Sequence, residues 1–184
     1  MDDKLKKKGL LFEYIFCQIN LREPIDKKVT FTRMDKLLFL LSAINATKED
    51  NNLLIYFDEF YADKSMGVLE GDILTLWNNS QLEHLRRNDK NDRVCELCYI
   101  EDDTFDSITD KEKEMVNNAI VSLFEKRNDY LTMDLFDLVG LIKQWTTVKV
   151  GFEVGETMHS IDKTESWQCL ITTEGILNSS IKAY

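Results

Sequence analysis

Five carboxylates fall close together in the first half of the chain: Asp58, Glu59, Asp63, Glu70 and Asp72. Hard oxygen donors gathered in this way are what a divalent cation takes. A small metal-dependent hydrolase would use them to hold the ion and activate water. Their spacing is irregular and no histidine stands among them, so a solvated loop is the first reading and the hydrolase the alternative. Cys95-Glu-Leu-Cys98 has the spacing of half a zinc site. The other half is missing, because no second CxxC exists and His84 and His159 stand apart. The alternation of Val94, Glu96 and Cys98 with Cys95, Leu97 and Tyr99 reads as a strand carrying reduced cysteines. Two histidines give little for acid–base work, and no GxSxG, P-loop, GxGxxG or HExxH is present. The chain is therefore expected to be no enzyme and to need no metal or cofactor.

Charge narrows the partners. Lysine and arginine number 23 against 33 acids, a net charge of −10. Such a chain is repelled by nucleic acid and by anionic membranes, so neither is an expected partner. The best basic patch, Arg86, Arg87, Lys90 and Arg93, is interrupted by Glu83, Asp89 and Asp92 and reads as a solvated loop. Residues 101–114 hold seven acids (Glu101, Asp102, Asp103, Asp106, Asp110, Glu112, Glu114) and two lysines, a net of −5. Acids at a helix start answer the macrodipole, which explains part of this run. The remainder suits docking to a basic partner.

The elements that must position these residues follow from periodicity. At 184 residues the chain fits one domain over 1–184, and one proline with seven glycines favours helices. The expected class is mainly α: a compact domain of about five to six helices with a small β-hairpin or short strands. Leu10, Leu11, Tyr14, Ile15 and Ile19 predict a helix over ~5–21. Thr32 is placed as the cap of a second, with Leu37, Leu38, Leu40, Leu41 and Ile44 inward. Leu53 to Phe57 predicts a strand extended by Phe60-Tyr61-Ala62. Asp63 to Gly67 predicts a turn, and Val68 to Trp77 a helix. Residues 78–92, almost wholly polar, predict a mobile surface segment, and Val94 to Ile100 a second strand. Thr109 and Glu112 form a capping box before Met115, Val116, Ala119, Ile120 and Leu123. Thr132 is read as opening another helix through Leu135, Leu138, Ile142 and Trp145, with an extended stretch and a short helix near Ile176 and Ile181 beyond. No apolar run approaches the ~20 residues of a membrane span. The leading segment has no signal cleavage site, so a cytoplasmic protein is expected.

Several of these segments resemble the Panacea domain, a phage-associated antitoxin family that includes proteolysis-adaptor antitoxins. Lys36-Leu37-Leu38-Phe39-Leu40 is similar to its K-L-L-Y-F-like helix. Phe60-Tyr61-Ala62 followed by Met66-Gly67-Val68 looks like its F-x-A-W-x-x-G-P-V segment, with Asp63 in place of the second aromatic and without the proline. Ile108 to Glu114 looks like its next helix start. Leu138 to Trp145, His159 to Trp167 and the closing Ile176, Ile181 and Tyr184 follow its order, so the resemblance spans most of the chain.

The resemblance implies a non-enzymatic protein-binding module that neutralises a toxin by direct contact or presents it to a protease. An interface of ordinary size, roughly 800 Å² per partner, would carry it, with aromatic anchors as hot spots. Aromatics near polar loops, Tyr56, Phe57, Phe60, Tyr61 and Trp77, are the candidates. Gly67 is expected to turn the chain between strand and helix, leaving exposed amides beside them. The expected partner-binding set is Tyr56, Phe60, Tyr61, Gly67 and Trp77. A third reading, an acidic mimic of nucleic acid, would need one continuous stripe of acids.

Overall fold

Leu11, Phe12, Ile15 and Ile19 recur three and four residues apart and are buried along one side of a helix, α1 (Asp3–Arg22). The computed structural model describes residues 2–22, 29–44, 53–63, 67–88, 91–98, 100–101, 103–126 and 129–144. Expected features at Trp145, 146–155, His159, Trp167, Cys169 and 176–184 lie outside the described residues, as do the side chains of Tyr61 and Asp63.

The second helix, α2 (Phe31–Ile44), is capped one residue pair earlier than the sequence suggests: the Arg33 amide donates to Thr30 Oγ1 at 3.2 Å. Thr30, not Thr32, is the cap, because its hydroxyl reaches the third amide of the first turn. All residues from Met34 to Ala43 are buried. A helix buried all round is a central one, and α2 packs against α4 (Asp110–Lys126), α5 (Leu135–Gln144) and parts of both hairpins.

The apolar run Leu53 to Phe57 is not a strand. It forms a 3₁₀ turn at Leu53–Ile55, with the Phe57 amide donating to the Leu53 carbonyl at 2.9 Å. Strand β1 (Phe60–Asp63) begins after it and pairs antiparallel with β2 (Gly67–Glu70), Phe60 opposite Glu70 and Asp63 opposite Gly67. Val68 to Glu70, expected to be helical, is therefore extended. Helix α3 (Gly71–Asn78) opens four residues after Gly67. Its end is a Schellman closure: Gln81 N–H donates to the Leu76 carbonyl at 2.9 Å and Ser80 N–H to that of Trp77 at 3.1 Å. Ser80 takes the left-handed conformation, φ 54°, which this closure demands.

Residues 78–92, read from their polarity as a mobile surface segment, contain a strand. β3 (Leu85–Asn88) pairs antiparallel with β4 (Asn91–Leu97), and Leu82 and Leu85 are buried. The Cys95 amide also donates to the Val29 carbonyl at 2.8 Å, which fastens the hairpin to the entry of α2. The capping box at α4 is formed as read: Thr109 N–H donates to Glu112 Oε2 at 2.7 Å, and Glu112 N–H to Thr109 Oγ1 at 3.3 Å. At α5 the capping side chain is Asp134, which accepts the Phe136 amide at 2.8 Å, while Thr132 donates to the Asp129 carbonyl.

The described residues are mainly helical, with five α-helices and two antiparallel hairpins around one apolar cluster. No helix among them is long and apolar enough to cross a membrane.

Candidate functional site

Three of the five carboxylates do converge. Asp58, Glu70 and Asp72 bring oxygens within 4.8 Å of one another, the spacing of a metal site. The cation they surround belongs to the protein. Lys8 Nζ donates to Asp58 Oδ1 at 3.2 Å, to Glu70 Oε1 at 2.9 Å and to Asp72 Oδ2. Lys8 is 1% exposed and Glu70 fully buried. Lys4 joins from the rim, 3.4 Å from Asp58.

Lys8 arrives there because its position continues the buried stripe of α1, three, four and seven residues before Leu11, Phe12 and Ile15. Burial alone would lower its pKa. The charge of Glu70 and hydrogen bonds to Asp72 and Glu70 outweigh that and hold the ammonium above the ordinary lysine range. Burial pushes the Glu70 carboxyl up, against the opposing pull of Lys8. Both its oxygens accept, Oε1 from Lys8 and the Glu59 amide and Oε2 from the Ile73 amide at 2.7 Å, a pattern that suits the ionised form. Asp58 is held below its usual range by Lys8 and Lys4 in spite of its burial. A divalent cation would have to displace the Lys8 ammonium from the centre of this set.

A second buried pair braces the same hairpin. Lys36 Nζ donates to Asp35 Oδ2 at 2.9 Å and to the Val68 carbonyl, while Asp35 Oδ1 accepts the Glu70 amide at 3.0 Å. These bonds help to hold residues 68–70 extended. The Val68 carbonyl and the Glu70 amide go to side chains of α2, while the strand pairs with β1 on its other edge. The Glu70 side chain in turn caps α3 through Ile73, and the Gly71 amide donates to the Glu59 carbonyl at 2.9 Å, so these two amides of the helix opening are taken up within the fold.

The aromatic candidates are taken up by the fold. Phe60 is fully buried and meets Phe39 edge-on at 5.6 Å. Trp77 stacks on Phe31 at 4.8 Å, with the Arg87 guanidinium 5.0 Å above its ring. Phe57 is fully buried. Phe60 has no exposed surface, and Trp77 keeps 5% of its own. Tyr56 is half-buried and donates its hydroxyl to Glu112 Oε1 at 2.7 Å, and burial followed by that bond pushes its pKa up to about 12. Gly67 opens β2, and the Tyr61 backbone lies in β1.

Glu112 shows how the acidic segment divides. Lys7 reaches it at 2.7 Å, and Lys7, Tyr56 and Thr109 overcome its burial to hold it down to about 2. Glu101, Asp103, Asp106, Asp110 and Glu114 are exposed instead. The loop that carries the first three is pinned by Phe105, which meets Tyr14 edge-on at 5.2 Å, and by buried Ile108, while Asp110 and Glu114 stand at the start of α4.

The cysteines stay apart from this chemistry. Among the described residues Cys17, Cys95 and Cys98 are free thiols, and burial pushes Cys95 up to about 12.

One buried acid was not singled out by sequence reasoning. Glu13 is 1% exposed and accepts the His84 amide at 2.6 Å and the Leu85 amide at 3.1 Å on Oε1. Burial pushes its carboxyl up to about 7 against those bonds. Its signal was present in the sequence, as a lone acid inside the apolar run Leu10 to Phe16.

Compared with protein-family models, curated proteins and solved structures, the chain matches none of them.

Proposed function

We propose that this chain is an acidic, cytoplasmic protein-binding module that neutralises a basic partner, a toxin, by direct contact, with presentation to a protease as the adaptor form of the same action. The observation that carries this reading is the division of charge. Lys7, Lys8 and Lys36 are consumed by internal carboxylates. Glu101, Asp103 and Asp106, on a loop anchored by Phe105 and Ile108, and Asp110 and Glu114, at the start of α4, are exposed. An exposed acidic segment of this kind steers a basic protein toward it. The resemblance to antitoxins of the Panacea class supports the same reading. Co-expression with the product of the adjacent gene tests it. Rescue of growth and a stable complex are expected, and failure to rescue any neighbouring toxic product would count against it.

A further inference from the structure

A cavity of about 300 Å³ opens between α1 and residues 81–83. Its walls are apolar, from Leu5, Leu10, Leu76 and Leu82, and Glu13 also lines it. Asp3, Lys6, Lys7 and Glu83 lie around it, and Ser107 of the acidic loop forms part of its edge. Lys7 is already engaged, donating to the Ser107 carbonyl at 2.7 Å and pairing with Glu112. With Lys7 answered by Glu112, the remaining lining groups carry three acids against Lys6 alone. A carboxylate offers about four acceptor positions, and at Glu13 the His84 and Leu85 amides both fall on Oε1.

We propose that this cavity receives a lysine side chain of the protein partner, its ammonium at Glu13 and its methylenes against Leu10, Leu76 and Leu82. The inference rests on the protein-binding reading above and gives it a specific anchor. An unbranched alkyl stem fits an apolar slot with one charged end, and the exposed acids beside Ser107 would draw a basic segment toward it. Lysine suits the slot better than arginine, because the one oxygen of Glu13 that these amides do not take, Oε2, matches a compact ammonium and not a planar fork of donors.

The test is titration of the full-length ¹⁵N-labelled chain with n-butylamine, n-butanol and sodium butyrate, followed at the Gly9, Leu82 and His84 amides. Butylamine should give saturable shifts in the millimolar range at pH 8, with butanol and butyrate far weaker. Glu13 must be ionised to hold the amine, so affinity should fall about tenfold between pH 8 and pH 6, as a carboxyl near 7 requires. Asp3, Lys6, Lys7 and Glu83 also line the cavity, and His84, whose amide meets Glu13, is the nearby imidazole; His84→Gln should leave this pH dependence in place. Glu13→Gln should abolish the preference for amine over alcohol. Glu83→Gln, at an exposed position, should weaken amine binding while leaving the fold intact. Equal shifts from butanol, or none from butylamine, would overturn the proposal, and the wild-type comparison decides even if Glu13→Gln fails to fold. Loss of the cavity proposal alone would leave partner binding through residues 101–114 standing, since that is read by a separate set of substitutions.

Discussion

Lys8 on α1 and Glu70 at the mouth of α3 stand 62 residues apart in sequence and 2.9 Å apart in the fold, both out of water. Each is answered by more than the other: Asp58 and Asp72 also receive the ammonium, and the Glu59 and Ile73 amides also meet the carboxylate. The pair locks α1, β2 and α3 into one arrangement. Taking the ammonium away leaves the buried Glu70 carboxylate without a cation and beside two further acids, whereas removing the Glu70 charge leaves Lys8 with Asp58 and Asp72.

Lys8→Met should therefore destabilise the protein by ~3–5 kcal/mol, the usual penalty for breaking a buried ion pair from one side. Glu70→Gln should cost less, because the amide oxygen can still cap Ile73. Chemical denaturation measures both. A loss under ~1 kcal/mol for Lys8→Met would mean that the cluster is hydrated and not buried.

The response to pH should carry two opposed components. Glu13 titrates near 7 in the folded chain against an ordinary value of 4.5, so the native state binds the extra proton between those limits. Stability should fall as pH rises from about 4.5 to 7, by about 3 kcal/mol at most. Glu112, held near 2, works the other way: its contribution is present above 4.5 and is lost as pH falls through about 2. Glu13→Gln should flatten the upper slope and leave the lower one. An unchanged upper slope would assign it to other groups.

Trp77→Ala should act on folding first. The ring is buried against Phe31 and capped by Arg87, so its removal should cost ~3–5 kcal/mol. Arg87→Ala should cost ~0.5–1 kcal/mol by loss of the cation–π contact. A Trp77 variant of native stability that binds its partner poorly would restore the anchor role suggested by the sequence.

Ser80 closes α3 from the left-handed region, where a side chain is disfavoured. Ser80→Gly should raise stability by up to about 1 kcal/mol. Thermal unfolding reads this as an increase in Tm, and a decrease would show that the hydroxyl contributes a contact worth more than the strain.

The mainly helical class and the α4 capping box were legible in the sequence because they depend on local spacing. The Lys8 site was not, since a charged side chain on an amphipathic helix reads as solvent-facing. Its one sequence signal was register: Lys8 lies on the same stripe as Leu11, Phe12, Ile15 and Ile19. Asp35 and Lys36 carried a similar signal between Met34 and Leu37. Strand β4 was legible in the alternation from Val94 onward, but β3 was hidden for a different reason. Its residues are mostly polar, and its pairing is fixed by strand-to-strand hydrogen bonds that no local pattern encodes. Residues 68–70 have helical apolar spacing, and tertiary bonds from Asp35 and Lys36 override it.

The most direct measurement of the protein-binding account is calorimetric titration of the adjacent gene's product into the wild-type chain and into the variant Glu101→Gln, Asp103→Asn, Asp106→Asn, Asp110→Asn. These four side chains are exposed, so the variant should keep the wild-type Tm within a degree or two, as surface changes of under ~0.5 kcal/mol allow. The account predicts a saturable complex with the wild type, weakened by salt, and at least a tenfold loss of affinity in the variant. Equal affinity for both chains, or no binding to the wild type, would contradict it.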